Sequence, residues 1–426
     1  MRRALRGCYV FPITSPPIAD GVVTIDEGRI VGVGREPALA GCHLSDLGNV
    51  AILPGLVNAH THLEFSGLAA PLGVPGTLLP DWIRLVVAYR RALPPDSQAA
   101  AVEQGVKECR AHGVVAVGEI ATTDFGDAVA NTLTDATVFR EIIGLKRELI
   151  DERLAAARQF LAVTTSRPHR EGEGKLAARP PARDIRRGIS PHAPYSVHPE
   201  LFDRLIDLAS GAQAPVAFHL AETREELDLL ATGRGPFREL LVELGAWDET
   251  AIPRGTRPID YLRRLADRGV HGLVIHGNYL DDEETQFIGA HAERLTVVYC
   301  PRTHAYFGHA RHPLPRLLAA GANVALGTDS RASNPDLNLL EEIRLVARQF
   351  PELPPATALE LGTLRAARAL GIDDRFGSLE RGKLAAIVTV RLPETDAAEP
   401  HQLIYESDCT AEMITHVVAE EMGEKT

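Results

Sequence analysis

Leu53-Pro54-Gly55-Leu56-Val57-Asn58-Ala59-His60-Thr61-His62 carries an apolar run into two histidines spaced one residue apart. Alternate residues of a strand point to one face, so a strand ending here can turn both imidazoles toward a single point. The pattern recurs downstream. Residues 216–218 lead into His219, with Glu222 just beyond; 273–275 lead into His276; 324–328 lead into Asp329. A lone His-x-His is weak evidence for a metal, and a lone histidine at a strand end is more often a satisfied core residue. All of these groups falling at strand ends is hard to reconcile with that bland reading. In a parallel barrel the C-terminal strand ends are where the chemistry is placed.

Working outward, eight short apolar runs read as strands: 51–57, 114–119, 137–143, 188–191, 216–220, 272–276, 295–300 and 323–327. Helical periodicity lies between them at 97–111, 199–209, 258–268, 281–290 and 337–350. Eight strands alternating with helices predict an α/β chain forming a closed (β/α)8 TIM-type barrel. A doubly wound sheet is the competitor, but no Gly-rich phosphate turn follows the first strand. Residues 1–50 are instead short, alternating and turn-rich (Ala19-Asp20-Gly21, Asp26-Glu27-Gly28), and 377–392 return to that style. The expected organisation is a barrel over 51–376 flanked by 1–50 and 377–426, whose β segments pair as one small β-sandwich. Residues 166–187 combine Arg, Pro, Glu and Gly without apolar periodicity and predict a solvated loop. Its basic residues could meet a substrate carboxylate, but a charge run is usually just solvated.

Composition narrows the partners. With 426 residues and a formal net charge of −12, the chain is long enough for a large core and poorly suited to nucleic acid polymers. Its five cysteines, Cys8, Cys42, Cys109, Cys300 and Cys409, are scattered and odd in number, which argues against a disulfide framework and a zinc ribbon. No apolar stretch is long enough to span a membrane, and Pro12, Pro16 and Pro17 interrupt any signal-peptide core after Met1. A cytoplasmic protein acting on a small molecule, with no membrane partner, is expected.

The motifs also resemble a known family. Pro54-Gly55-Leu56-Val57-Asn58-Ala59-His60-Thr61-His62 resembles the opening motif of the amidohydrolase superfamily. Ser190-Pro191-His192-Ala193-Pro194-Tyr195, His219-Leu220-Ala221-Glu222-Thr223, Ile275-His276-Gly277, Leu326-Gly327-Thr328-Asp329-Ser330, Ala332-Ser333-Asn334 and Gly377-Ser378-Leu379-Glu380-Arg381-Gly382-Lys383 follow in that family's order. The match spans essentially the whole chain. It is similar to the branch holding cytosine and guanine deaminases, chlorotriazine hydrolases and deaminases of S-adenosylhomocysteine and related adenine nucleosides.

That resemblance implies one divalent ion, zinc or in some members iron, bound by His60, His62, His219 and Asp329. It also implies that His276 contacts the attacking water or the substrate, that Glu222 moves protons, and that a homodimer is the default assembly. Dinuclear members carry a carboxylated lysine on the fourth strand. Arg186-Arg187-Gly188-Ile189-Ser190-Pro191-His192 has no lysine, so a mononuclear site is expected.

General chemistry agrees with these roles. A divalent ion lowers the pKa of bound water from ~15.7 toward ~7. Asp329 can take the released proton, protonated Glu222 can donate to a ring nitrogen, and His276 can steady a developing oxyanion. Hydrolytic deamination uses every part.

His62-Leu63-Glu64-Phe65-Ser66, followed by Trp82, resembles the aminodeoxyfutalosine deaminases, which implies an adenine nucleoside substrate. His192 matches the nucleoside-contacting histidine of relatives. Glu64 and Trp82 are candidate ribose and base contacts, although an apolar aromatic such as Trp82 is more often packing. In Cys300-Pro301-Arg302-Thr303-His304-Ala305-Tyr306-Phe307, His304 stands where many nucleoside deaminases have Asn. His304, Tyr306, Phe307 and His309 are expected to line the mouth. Arg331 either binds a substrate carboxylate or pairs with Glu341 or Glu342.

Two rivals remain at this stage. The same metal site could open a cyclic amide or imidazolone, or hydrolyse a chlorinated heterocycle. A metal-binding protein without turnover would have no use for the proton-transfer groups Glu222 and His276.

Overall fold

The computed structural model describes residues 2–94, 97–122, 135–163, 184–395 and 397–414. Eight parallel strands form the central sheet: β1 (Leu56–Thr61), β2 (Val114–Ala121), β3 (Asp135–Ile142), β4 (Asp184–Pro191), β5 (Val216–Leu220), β6 (Gly272–His276), β7 (Leu295–Tyr299) and β8 (Asn323–Leu326). Each pairs with its sequence neighbour. A parallel bridge between Thr61 and Asp329 joins the last strand to the first. There the Asp329 N–H donates to the His60 carbonyl at 3.1 Å and Thr61 Oγ1 donates to the Asp329 carbonyl at 3.0 Å. The sheet is thus the expected (β/α)8 barrel, and the bond that closes it sits beside two of the predicted site residues.

The core has two layers, as the strand period of two requires. Ala217, Leu273, Ile275, Val298 and Ala325 fill the barrel interior with Val57 and Ala59. Their neighbours Phe218, Val274, Val297 and Val324 pack outward under the helices. His219 continues the inward row begun by Ala217. In β1 strict alternation would point His60 outward. The pairing of β1 with β2 slips between Asn58 and Thr61, and this irregularity brings the His60 ring to 5.1 Å from that of His219.

One boundary differs from the sequence reading. Residues 51–57 are not one barrel strand. Val50–Pro54 pairs antiparallel with Ile387–Arg391 and parallel with Tyr9–Val10 in a separate five-stranded sheet. The barrel strand starts only at Leu56. Gly55 is the joint: its N–H donates to the Ala386 carbonyl at 2.8 Å, and a Cβ there would run into the Val115 side chain. A second, four-stranded terminal sheet pairs Arg3–Arg6 with Val22–Asp26 and His43–Asp46. Most of the expected loop at 166–187 lies outside the described residues. Its last four residues are strand, because β4 begins at Asp184 and Arg186 pairs with Thr137 of β3. The Arg186 guanidinium also reaches the Leu370 carbonyl at 2.8 Å, which gives a charged residue a place in a barrel strand.

A helix that the apolar periodicity did not single out matters most for the site. Leu79–Ala92 starts with Pro80 at its first turn, which suits a helix N-terminus. Leu79, Trp82, Ile83, Val86 and Arg90 recur at helical spacing and face the barrel mouth. No helix among the described residues is long and apolar enough to cross a membrane.

Candidate active site

His60, His62, His219, His276 and Asp329 converge at the C-terminal end of the barrel. Single ligand-type atoms of His60, His62 and His219 lie within 4.8 Å of one another, as do those of His60, His276 and Asp329. Asp329 Oδ1 is 3.6 Å from Nε2 of both His60 and His62. Whether these residues suit a cation can be tested on their hydrogen bonds. Both ring nitrogens of His60 and Nδ1 of His62 are buried without a hydrogen-bond partner, which is costly for polar atoms unless something else satisfies them. His219 Nδ1 lies 3.0 Å from the His192 carbonyl. A carbonyl only accepts, so Nδ1 carries the hydrogen and Nε2 keeps its lone pair for the cluster. Three imidazoles and one carboxylate, buried except for a slightly exposed His62, make an N/O donor set suited to zinc or iron(II).

The backbone is bent to put these side chains there. Ala221, His276 and Asp329 are non-glycine residues with φ of 54°, 68° and 55°. Each left-handed residue costs about 1–2 kcal/mol. Strain of this kind persists where the surroundings over-determine it, and here it falls at strand ends that turn into the mouth. Glu226 secures one of these turns by accepting the Ala221 and Glu222 N–H groups at 2.9 and 2.8 Å. Gly327 secures another, since a Cβ there would press on His60 Cβ and its carbonyl at 2.8 Å.

Electrostatics separates the titratable groups. Burial holds Glu222 well above the usual carboxylate range, and the nearby Asp329 and Glu226 charges push the same way. Burial likewise lowers His276 to about 3, against the opposing pull of Asp329. Asp329 goes the other way: burial would raise it, but the His60, His62 and His276 rings outweigh that, and it stays ionised. The surroundings therefore favour the protonated form of Glu222, the neutral form of His276 and the anionic form of Asp329. A carboxylic acid 3.4 Å from a neutral imidazole is a proton donor poised beside a hydrogen-bonding group.

A cavity of about 530 Å³ opens above this cluster. Its walls are mostly apolar, from Leu79, Trp82, Ile83 and Val86 on one side and Leu240, Leu241 and Leu244 on the other. Trp82 spends its indole N–H on the Ala332 carbonyl at 3.0 Å and meets Phe307 edge-on at 5.5 Å, so it offers the cavity an apolar ring. His192 also lines it, with Nδ1 2.6 Å from Ser196 Oγ.

Three proposed substrate contacts are not brought to the cavity wall. Glu64 is buried behind it, with its carboxylate spent on Arg90, on Gln98 at 3.0 Å and on Thr122 at 2.9 Å. His304 sits on the short helix Pro301–Tyr306, which turns its ring edge-on against Tyr299 at 5.5 Å. Arg331 pairs with Glu108 at 2.7 Å and with the Leu68 carbonyl at 2.8 Å, so neither Glu341 nor Glu342 is its partner. From the 300–309 segment, Phe307 lines the cavity, whereas Tyr306 bonds the Leu72 carbonyl at 2.7 Å and His309 meets the Tyr279 hydroxyl at 3.2 Å. The sequence reading overlooked Arg90, Glu141 and Glu226. The spacing of Trp82, Val86 and Arg90 could have signalled the first; nothing local marked the other two.

The chain matches the amidohydrolase family over residues 51–420 and belongs to that family of hydrolases, as its motifs suggested. Among similar proteins, the 5-methylthioadenosine/S-adenosylhomocysteine deaminase of Moorella thermoacetica is 29% identical, covering 96% of this chain and 89% of that one. The aminodeoxyfutalosine deaminase of a Nitratiruptor species is 28% identical over 81% of this chain and 80% of its own. A solved structure of an adenosine deaminase from Xanthomonas campestris with bound zinc superposes with a TM-score of 0.68 at 26% identity, covering 98% and 96% of the two chains.

Proposed function

We propose that this enzyme hydrolytically deaminates an aminated purine nucleoside, of the methylthioadenosine, S-adenosylhomocysteine or aminodeoxyfutalosine type, releasing ammonia. The observation that carries this reading is the buried Glu222 beside His276 at the floor of a largely apolar cavity, where burial favours its protonated form. Such a cavity takes the flat, apolar faces of a heterocycle, and its volume is in the range of small-molecule sites. The named activities of the relatives above point the same way.

His60, His62, His219 and Asp329 are proposed to hold one divalent ion, zinc by preference, since zinc accepts this donor set and a relative binds it. When bound, that ion would supply Lewis acidity and acidify a water molecule. The chain's own residues then manage the protons. Asp329 accepts a proton from the attacking water. Glu222 gives its proton to the ring nitrogen beside the amino-bearing carbon as oxygen adds to that carbon. His276 donates a hydrogen bond to the added oxygen. Collapse moves the hydroxyl proton to the amine, ammonia leaves and a carbonyl remains. The proton on Asp329 restores Glu222, so the two carboxyl groups end with the proton they began with.

The test is ammonia release by zinc-loaded protein on S-adenosylhomocysteine, methylthioadenosine, aminodeoxyfutalosine, adenosine, guanine and cytosine. A strong signal on one or more nucleosides, with little on the free bases, is expected. Silence on all nucleosides with metal bound would overturn the reading.

A further inference from the structure

Arg90, Glu141 and His192 form a polar strip in the largely apolar cavity wall, which also includes the charged Lys146, Glu148 and Arg153. Glu141 stands near the end of β3, and its side chain is only 4% exposed. Among the described residues no hydrogen bond reaches its carboxylate. The nearest cationic-type groups, Arg90 Nη2 and His192 Nε2, each stay 3.9 Å away, beyond bonding distance. Arg90 complements it: Glu64 grips its guanidinium from behind and the Phe65 ring lies beneath it at 5.1 Å, while its Nε is buried without a partner. A fixed acceptor and a fixed donor therefore face each other across a gap in a largely apolar wall.

We propose that Arg90 and Glu141 form the subsite that reads sugar hydroxyls of the substrate, taking a vicinal diol such as that of a ribose. The inference rests on the nucleoside reading above and goes beyond it by assigning the recognition. A hydroxyl is the neutral group that both donates to a carboxylate and accepts from a guanidinium. Its binding would fill the 3.9 Å gap with two charge-assisted hydrogen bonds. A ligand lacking that hydroxyl would shed water from Glu141 and leave the carboxylate unpaired, which is the arrangement that discriminates most strongly. Glu64 then acts as a positioning residue for Arg90, with no contact to the ligand.

The test compares wild type with Glu141→Gln and Glu141→Asp, each checked for native circular dichroism. The first reading is kcat/KM for the best purine ribonucleoside against its 2′-deoxy and 3′-deoxy forms. The second, independent of turnover, is the Kd of inosine against 2′-deoxyinosine by calorimetry. Wild type is expected to favour the ribose form by roughly 10- to 100-fold, the cost of one unsatisfied buried group. Glu141→Gln should bring that ratio to within about threefold, by weakening the ribose form and leaving the deoxy form nearly unchanged, and Glu141→Asp should fall between. A wild type without ribose preference, or a folded variant that keeps it, overturns the proposal. If wild type turns over no purine nucleoside, the reaction assignment fails, and the inosine binding ratio still decides the subsite.

Discussion

Glu222 Oε1 lies 3.4 Å from His276 Nε2, and both side chains are buried beneath the cavity. Neither side chain is held by strand geometry alone. Glu222 stands one residue beyond Ala221, and His276 is itself left-handed. The Asn278 side chain ties the two loops together by donating to the Glu222 carbonyl at 3.0 Å.

Replacing Glu222 by Gln removes proton transfer and leaves the donor set for the ion intact. Turnover is expected to fall by ~10²–10⁴ with unchanged zinc content, measured by ammonia release and metal analysis. Undiminished turnover would remove Glu222 from the mechanism.

Asp329→Ala deletes the proposed ligand and the proposed base together. Both zinc occupancy and kcat should drop, and a chelator should abolish wild-type activity until zinc is restored. Full occupancy with full activity in the variant would exclude both roles.

Glu226 provides a pH signature of stability. Burial raises its carboxyl to about 7 despite three backbone N–H groups that favour the anion. Because the folded pKa lies above the unfolded one, its contribution is complete below about 4.5 and is lost as pH rises through about 7. The loss amounts to roughly 3 kcal/mol, at ~1.4 kcal/mol per pKa unit. Thermal midpoints of wild type should decline from pH 5 to 8 relative to those of Glu226→Gln, which is less stable throughout but flatter. Parallel curves would contradict the assignment.

Arg331→Met tests a structural role. The guanidinium bonds Glu108, whose Oε1 also receives the Leu337 N–H at 3.0 Å. The variant should lose about 1–3 kcal/mol of stability with KM within twofold of wild type, by denaturation and steady-state assays. A large rise in KM with unchanged stability would return Arg331 to the substrate.

The candidate cluster was legible because each member ends an apolar run, and a barrel gathers the C-terminal ends of its strands at one mouth whatever the loops between them do. His62, His219, His276 and Asp329 needed only the order and ends of the strands, whereas the inward turn of His60 also needed the slip in β1. Glu64, His304 and Arg331 were misplaced for a common reason. Glu64 and Arg331 follow cluster residues by two positions and His304 follows the end of a barrel strand, yet a short 3-10 turn, a loop and a short helix aim them at partners in the protein.

From residue order and type alone came the barrel and the candidate donor set, which follow from local periodicity and strand ends, while the resemblance of the motifs implied the hydrolase family and the candidate proton-transfer pair. What required the folded chain was the split at Gly55, the slip in β1 that turns His60 inward, and the cavity wall built by Leu79–Ala92 with Arg90 set 3.9 Å from Glu141. Those features depend on contacts between residues about 50 to more than 300 positions apart, between Arg90 and Glu141 or between Gly55 and Ala386. Periodicity records which face of an element is buried, but not which distant side chain it meets there.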